Sequence, residues 1–448
     1  MPTLLAATPL TDTERPSVVG EIERFLHRAI SDLEPAAPTA RRPGRPRILP
    51  ALCLWAGLLV CVLHGFTSHR ALWRLLTSQG LWQLPRLPLS DQALYHRLAR
   101  DGTGPLERLF AHLSALLADR LAPYAAVTLA PFATAVYALD ETTLDRVARL
   151  LPALRDLPAG AAALLPGKLA GLFDLRRQQW ARVESIESPQ QNEKAAARGM
   201  VAGLAAGSLL LADLGYFGFQ WFDDLTDAGL WWVSRLRAKT SLTVLHTLYA
   251  RGDTLDALVW LGAHRADRAK HAARLVQFRQ GGATYRYITN VLDPTVLPMA
   301  EIARLYARRW DIELAFNLIK THLGLHLLWG AKPVVVLQQV WAVLIIAQVL
   351  QALRLEIAGK AGVDPFEVSL PLLVEYLPYF AYRGLDPVAV VVEQGRALGF
   401  IRPSTRTVIE APTIPPEDLT PPPPDLALTR TPRYAQRQCG PRPRTTAS

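Results

Sequence analysis

Cysteine is scarce in this chain of 448 residues, and its three thiols, Cys53, Cys61 and Cys439, form no CxxC pair. Zinc fingers and zinc ribbons need closely spaced thiols, so the cysteine pattern argues against a structural zinc site. A sparse, odd number of cysteines is typical of the reducing cytoplasm. The N-terminus has no basic segment followed by a long apolar run, so we expect no signal peptide.

Acidic residues are in deficit. The chain has 39 Asp and Glu against 49 Lys and Arg, which gives a formal net charge of +10 and a pI near 9.7. Such a balance favours a polyanionic partner, most often nucleic acid. Residues 41–47 hold four arginines spaced by Pro and Gly, which keep the backbone extended. This run is suited to a phosphate backbone or minor groove, although a flexible basic linker would have the same composition.

Uninterrupted apolar runs of membrane-spanning length are lacking as well. A spanning helix needs about 20 predominantly apolar residues. The stretch at residues 48–66 is broken by Pro, Gly and His, and the stretch at residues 334–350 contains Gln338, Gln339 and Gln348. We therefore expect both stretches to be buried core helices, with no membrane partner.

The N-terminal third of the chain has helical patterns. Residues 17–33 predict one amphipathic helix, and residues 49–129 predict several more. Within them, helices at residues 68–78 and 90–98 are joined by a loop with Gly and Pro, as in a helix-turn-helix. Its possible DNA contacts are Gln92, Tyr95, His96 and Arg97. Most two-helix units bind nothing, so this reading stays open.

The pattern changes to strands near residue 130. Residues 132–140 predict a buried strand that ends at Asp140, a hairpin follows at residues 171–188, and a helix follows at residues 192–206. A second buried strand at residues 208–213 ends at Asp213. The order is therefore strand, strand, strand, helix, strand, with an acid at the end of the first and the fourth strand.

Residues 229–295 predict a β-rich segment in which basic residues alternate with aromatic ones. This mixture suits contact with DNA, and an ordinary hairpin insertion with a solvated face would also produce it.

A long helix at residues 299–322 carries Tyr306, Arg309, Glu313 and Lys320. At about 100° per residue, the last three fall roughly 300°, 340° and 320° around from Tyr306, so all four share one stripe about 60° wide. Charged residues at this spacing usually form the solvent-exposed face of a helix. However, Arg309 before Glu313 is the less favourable order for a helical ion pair, which favours a functional face. Asp311 lies about 160° from Glu313 and should not share that face.

Asp140, Asp213 and Glu313 together form a candidate metal site. Two-metal phosphoryl transfer uses carboxylates from separate elements to hold two ions about 3.5–4 Å apart. Carboxylate oxygens suit Mg²⁺ or Mn²⁺, and no Cys/His cluster favours zinc.

Three motifs together resemble the bacterial DDE transposases of the IS-four insertion-sequence family. They are Asp-Glu-Thr-Thr-Leu from Asp140, Asp-Leu-Gly-Tyr-Phe from Asp213, and Tyr306-x2-Arg309-x3-Glu313-x6-Lys320. The resemblance covers about residues 130–355, and the last motif is the most specific because all four positions match the family's spacing.

The resemblance implies an α/β fold with a ribonuclease-H-like mixed-sheet catalytic core and a β-strand insertion. It implies that Asp140, Asp213 and Glu313 bind two Mg²⁺ or Mn²⁺ ions, and that Tyr306, Arg309 and Lys320 contact DNA phosphates. An insertion aromatic would stack on a flipped base, with Trp231, Trp232, Tyr285 and Tyr287 as candidates.

The implied activity is DNA transposition, by cleavage at the element ends followed by strand transfer. The implied partner is double-stranded DNA, bound by at least a homodimer in the bacterial cytoplasm, in association with the nucleoid. A nuclease on the same core and a catalytically inactive, transposase-derived DNA-binding protein remain the alternatives.

The expected domains are an N-terminal arm with a basic linker (1–48), a helical, possibly DNA-binding region (49–129), the catalytic core (130–228 and 296–355), the β-rich insertion (229–295), a C-terminal helical region (356–402) and a Pro-rich, disordered tail (403–448).

Overall fold

The computed structural model of the chain describes a defined set of residues, namely 49–66, 68–79, 86–143, 168–186, 193–262, 267–325, 329–330, 332–404, 406 and 408–434. The predicted helix at residues 17–33, the arginine run at 41–47 and Cys439 lie outside this set.

Helices and strands fill most of the described residues. In chain order the helices are α1 (Ala51–Leu63), α2 (His69–Arg74), α3 (Asp91–Asp101), α4 (Gly104–Leu121), α5 (Glu193–Val201), α6 (Phe219–Asp227), α7 (Met299–Arg308), α8 (Trp310–Asn317), α9 (Pro333–Ala361), α10 (Leu370–Tyr382) and α11 (Pro387–Gln394). The strands are β1 (Val136–Thr143), β2 (Lys168–Asp174), β3 (Gln179–Ile186), β4 (Leu209–Ala212), β5 (Trp231–Arg235), β6 (Leu242–Arg251), β7 (Thr254–Leu261), β8 (Ala273–Gln280) and β9 (Ala283–Thr289).

The nine strands of the described residues form one sheet in the order β3-β2-β1-β4-β5-β9-β8-β7-β6. Strand β4 pairs in parallel with both β1 and β5, whereas β2 and β3 form an antiparallel hairpin. Strands β6 to β9 are antiparallel, and β9 joins them to β5. The predicted α/β class, the mixed sheet and the order strand, strand, strand, helix, strand are confirmed.

Two strand boundaries differ from the predictions. Strand β1 continues to Thr143, so Asp140 lies inside it rather than at its end. Strand β5 was expected to begin the insertion, but it pairs in parallel with β4 and therefore continues the core sheet. The antiparallel extension begins with β6, which the sequence pattern did not predict.

The chain divides into two compact units. One contains residues Met1–Val127, Asp140–Asn192 and Trp310–Arg406, and the other contains Thr128–Leu139, Glu193–Arg309 and Thr407–Ser448.

Helix α9 forms the centre of the first unit. By length and composition alone it could cross a membrane, but 83% of its apolar window is buried inside the protein, as in the core helix of a soluble protein. Its glutamines, which interrupt the apolar run, bond to neighbouring elements. Gln338 donates to the Leu98 and Gly102 carbonyls, and Gln348 bonds to the backbone of Trp180. The helix is therefore a core element, as predicted from its glutamines.

Residues 408–434 of the second unit are ordered, in contrast to the disorder expected from their proline content. The Thr420 amide donates to the Leu248 carbonyl of edge strand β6, and the Tyr434 hydroxyl donates to buried Asp223. Few regular hydrogen bonds are needed, because an extended proline-rich segment can be held by isolated backbone contacts. The rest of the tail, residues 435–448, is outside the described set.

Candidate active site

Asp213 follows the buried strand β4 directly. All four residues of β4 are buried, and Asp213 has an extended backbone (φ −77°, ψ 169°) before a 3₁₀ turn at Leu214–Tyr216. The strand ends here because its polar successor leaves the core. The Asp213 side chain is 43% exposed, which leaves its carboxylate accessible to a ligand.

Arg309 from the signature motif lies beside Asp213. Its Nε is 4.0 Å from Oδ1 of Asp213, and its own side chain is only 7% exposed. Its guanidinium carbon is also 6.0 Å from the centre of the Tyr306 ring. Two motifs almost a hundred residues apart in the chain therefore meet in the second unit.

Tyr306 is buried, which differs from the expected contact with DNA. Its side chain is 6% exposed, its hydroxyl lies 3.5 Å from the Ala212 carbonyl, and its ring packs 4.9 Å from that of Tyr287. Burial raises the pKa of the Tyr306 phenol, and the nearby Arg309 only partly offsets this. The neutral hydroxyl is therefore a donor toward the end of β4, next to Asp213.

The sequence predicts one continuous helix at residues 299–322, but the structure divides this signature segment into three pieces. Helix α7 ends at Arg308, Arg309 forms a turn that keeps helical dihedrals (φ −54°, ψ −32°), and α8 runs from Trp310 to Asn317. A π-helix follows at Leu318–His322 and contains Lys320. Because a π-helix has more residues per turn than an α-helix, the predicted 100° spacing does not extend to Lys320.

Glu313 and Lys320 belong to the first unit, and both side chains are half-buried. Helix α8 is held by Phe316, whose ring lies 4.7 Å from that of Trp180 on β3. Gly171 on β2 permits this packing, because a Cβ there would come within 2.4 Å of the Trp180 ring.

Asp311 anchors the opposite side of α8, in agreement with its predicted separation from Glu313. It is 1% exposed and accepts a 3.0 Å hydrogen bond from Gln178. Gln178 in turn accepts a hydrogen bond from Arg354 of α9, and Arg406 lies 3.8 Å from Asp311. Sequence reasoning missed this network because Gln178 and Arg354 are remote in the chain, and neither belongs to a recognisable motif.

Asp140 is half-buried within β1, and its carboxylate accepts a hydrogen bond from the Glu141 amide. The adjacent Glu141 pairs instead with Lys168, whose Nζ is 3.1 Å from Oε2, and both side chains are largely buried. Asp140 rather than Glu141 therefore stays the first candidate acid.

Within the part of the chain that the structure describes, no three His, Cys, Asp or Glu side chains are grouped closely enough to hold a metal ion. Asp140 and Glu313 belong to the first unit and Asp213 to the second. Within the second unit, the structure brings Asp213 together with Arg309 and Tyr306. The donor set itself, three carboxylates without thiolate or imidazole, fits a hard divalent cation.

The candidate stacking aromatics fall into two groups. Trp232 and Tyr287 are buried, and Trp232 stacks on Phe222 with ring centres 4.2 Å apart. Burial raises the pKa of the Tyr287 phenol to about 12. Trp231 and Tyr285 are half-buried. Only these last two of the four have a ring with exposed area for a base.

Two arginines, one at the end of β5 and one just after it, were not among the predicted site residues. Arg235 ends β5, and Arg237 donates a 3.1 Å hydrogen bond to the Leu214 carbonyl, one residue after Asp213. Parallel pairing of β4 and β5 places both strand ends at one edge of the sheet. That pairing is the signal that would have identified these residues.

The four side chains predicted as possible helix-turn-helix contacts differ in whether they are exposed or already contact other residues of the chain. Gln92 and His96 are exposed on α3. Arg97 is occupied by an ion pair with Asp101, and Tyr95 packs its ring 5.0 Å from that of His69.

Comparisons with known proteins find similarity to transposases. The family described as Transposase DDE domain matches residues 168–349, a range that includes Asp213 and Glu313 but begins after Asp140. The curated protein "Putative transposase y4zB" of Sinorhizobium fredii (strain NBRC 101917 / NGR234) is 29% identical over 155 residues, which cover 33% of this chain. This chain spans 43% of that relative's length.

A solved structure of a piggyBac transposase synaptic complex with hairpin DNA is also similar. The similarity covers 85% of this chain and 79% of that one, with 10% identity and a TM-score of 0.41. The family match and the curated relative together support a transposase DDE domain at residues 168–349 of this chain.

Proposed function

We propose that this protein is a DNA transposase of the IS-four type, which binds insertion-sequence ends and catalyses Mg²⁺-dependent cleavage and strand transfer. The observation that carries the proposal is the meeting of the second-acid motif and the signature motif, with Arg309 Nε 4.0 Å from the Asp213 carboxylate. The transposase domain match over residues 168–349 supports the same function.

Asp140, Asp213 and Glu313 are the proposed ligands of two divalent ions. When bound, such ions would supply activation of the attacking oxygen and neutralisation of charge on the leaving oxygen. The partly exposed Asp213 side chain is suited to this role, because its carboxylate oxygens are accessible to a cation from solvent. The orientation of Glu313 depends on the rotation of α8 about its axis. This rotation is fixed by the hydrogen bond from Gln178 to Asp311 and by the packing of Phe316 on Trp180.

Arg309 and Lys320 are the proposed phosphate contacts. Arg309 presents a guanidinium that is already largely desolvated, so its attraction to a phosphate is screened less than that of a surface arginine. Tyr306 has a different proposed role: it supports the end of β4 through the Ala212 carbonyl, and so orients Asp213.

The proposed reaction has two displacement steps at phosphorus. In the first, water forms a bond to the phosphorus at the element end, the bond to the 3′-oxygen breaks, and a free 3′-hydroxyl results. In the second, that hydroxyl attacks another phosphodiester, so one P–O bond forms for each one that breaks. No external energy source is required, because the first step is a hydrolysis and the second exchanges one phosphodiester bond for another.

The test is incubation of the purified chain with a duplex that carries the flanks of its own gene, followed by mapping of nicks and joined products. We expect nicks at the element ends that need Mg²⁺, and loss of these nicks in Glu313→Gln with DNA binding retained. Glu375→Gln removes the same charge from an exposed position on α10 and is the matched control. Nicks without joined products would favour the nuclease alternative, and binding without nicks would favour the inactive alternative.

A further inference from the structure

The ordered part of the tail pairs with the segment that precedes β8. Residues 428–433 pair in antiparallel fashion with residues 268–272, through bridges at His271 and Arg268. At one end of this short ladder, Arg268 and Arg433 exchange both backbone hydrogen bonds, at 2.7 and 3.1 Å. Directly opposed residues of this kind extend their side chains on the same face.

Two arginines directly opposite each other are an unfavourable pair by themselves, because like charges repel across a ladder. Both side chains are exposed. Among the described residues, neither one makes an ion pair with an acid. An anion that binds both guanidinium groups would remove the repulsion and gain two charge-assisted hydrogen bonds.

The neighbouring Arg430 makes the pairing rigid. Its Nε and Nη2 donate to the Ala269 and Leu261 carbonyls, and its guanidinium lies 4.5 Å above the Trp260 ring. Burial lowers the pKa of Arg430, and the positive charge of Arg268 adds to this effect. Arg430 therefore fixes the tail while leaving Arg268 and Arg433 exposed.

A close backbone approach sets the position of Arg268. Gly262 has φ +83°, and a Cβ at that residue would come within 2.1 Å of the Asp267 carbonyl. The close approach of Asp267 and Arg268 to the end of β7 therefore requires glycine at residue 262.

The sequence beyond the ladder has the same charge. From Arg430 to the last residue, the chain contains five arginines and no acidic residue, the others being Arg433, Arg437, Arg442 and Arg444. A run of this composition is typical of segments that contact nucleic-acid backbones.

We propose that Arg268 and Arg433 form a phosphodiester-binding site for duplex DNA, separate from the candidate catalytic acids and created when the tail pairs with the segment after β7. The proposal rests on the proposed function, since it assumes a DNA partner. The site reads no bases; it adds backbone contacts that increase affinity and position the duplex.

The test measures binding of a fluorescent duplex of about 30 base pairs and random sequence, by anisotropy in EDTA, at several salt concentrations. Each lost phosphate contact reduces the slope of log K against log salt by about 0.9, so Arg268→Gln/Arg433→Gln should reduce it by about 1.8. Arg433→Gln alone, which keeps the backbone bonds of the ladder, should reduce it by about 0.9. Arg268→Lys/Arg433→Lys keeps both charges and should retain most of the slope.

The control is Arg251→Gln/Arg279→Gln, which removes the same charge from exposed positions in the same unit. Arg251 ends β6 beside the β6–β7 turn, and Arg279 lies near the β8–β9 turn, at the far end of the strands from Arg268. Equal slopes for this control and for Arg268→Gln/Arg433→Gln, with wild-type binding intact, would overturn this site alone. Absence of duplex binding by the wild-type chain would overturn both this site and the proposed function.

Discussion

The fully buried ion pair between Asp256 and Arg274 gives the sharpest stability prediction. Both side chains are 0% exposed, and two hydrogen bonds of 2.7 and 2.6 Å join the guanidinium to the carboxylate. Arg274 also donates a 2.6 Å hydrogen bond to the Leu297 carbonyl, just before α7 begins. The pair thus connects β7 and β8 to the start of α7, the helix that carries Tyr306.

We expect Asp256→Leu to destabilise the protein by about 3–5 kcal/mol, because it leaves a buried guanidinium without its counterion. For a unit of this size, that corresponds to a fall in Tm of roughly 6–20 °C. Adding Arg274→Met should recover most of the loss, since an apolar pair of similar volume removes the uncompensated charge. The remaining cost is the Leu297 carbonyl left without its donor, about 1–3 kcal/mol.

The assay is thermal unfolding of both single variants and the double variant, analysed as a double-mutant cycle. The reasoning predicts a large coupling energy, with the double variant more stable than either single variant. It would be refuted if the single variants lost less than about 1 kcal/mol, or if their losses simply added in the double variant.

Three further predictions concern the first unit. Arg354→Met should lower the free energy of unfolding by about 1.5–3 kcal/mol, measured by chemical denaturation, because the buried Gln178 loses its charged donor; an unchanged midpoint would contradict this. Burial acts to raise the pKa of Glu356, but Lys360 and Arg120 outweigh it and hold the pKa below its ordinary value. A lowered pKa stabilises the folded state at neutral pH, and the benefit is lost as the pH falls through the native pKa, so the difference in Tm between wild type and Glu356→Gln should shrink from about pH 7 to about pH 3. Burial raises the pKa of Cys61 to about 12, so the native thiol should resist alkylation at about pH 8 and react quickly once unfolded; equal rates in both states would contradict its burial.

Much of the central part of the sheet follows from local sequence patterns. Buried apolar runs predicted β1 and β4, although only β4 is directly followed by its acid. Helical spacing placed Asp311 away from Glu313, and in the structure Asp311 is buried against Gln178. These features depend on residues close together in the chain, where periodicity is informative.

Other features depend on contacts that no local pattern contains. The burial of Tyr306 follows from Tyr287 and Ala212, which are remote in sequence, and the helical stripe alone could not distinguish a buried phenol from an exposed one. The break at Arg309 could not be predicted from the sequence, because no Pro or Gly lies near it. Strand β6 is an edge strand with mostly exposed or half-buried residues, so its alternation of apolar and polar residues is weak.

The tail shows a similar limit. Proline content predicts an extended chain, and it does not predict whether that chain finds a partner. Here the partner is the backbone of residues 268–272.

The proposed binding of the catalytic cations by Asp140, Asp213 and Glu313 can be tested by replacing each of these residues with cysteine. Mg²⁺ binds poorly to thiolate, whereas softer divalent ions accept it better. We expect each of the variants Asp140→Cys, Asp213→Cys and Glu313→Cys to lose cleavage of the flanking duplex in Mg²⁺ and to regain part of that cleavage in Mn²⁺. Undiminished cleavage in Mg²⁺ by any of the three variants would contradict it.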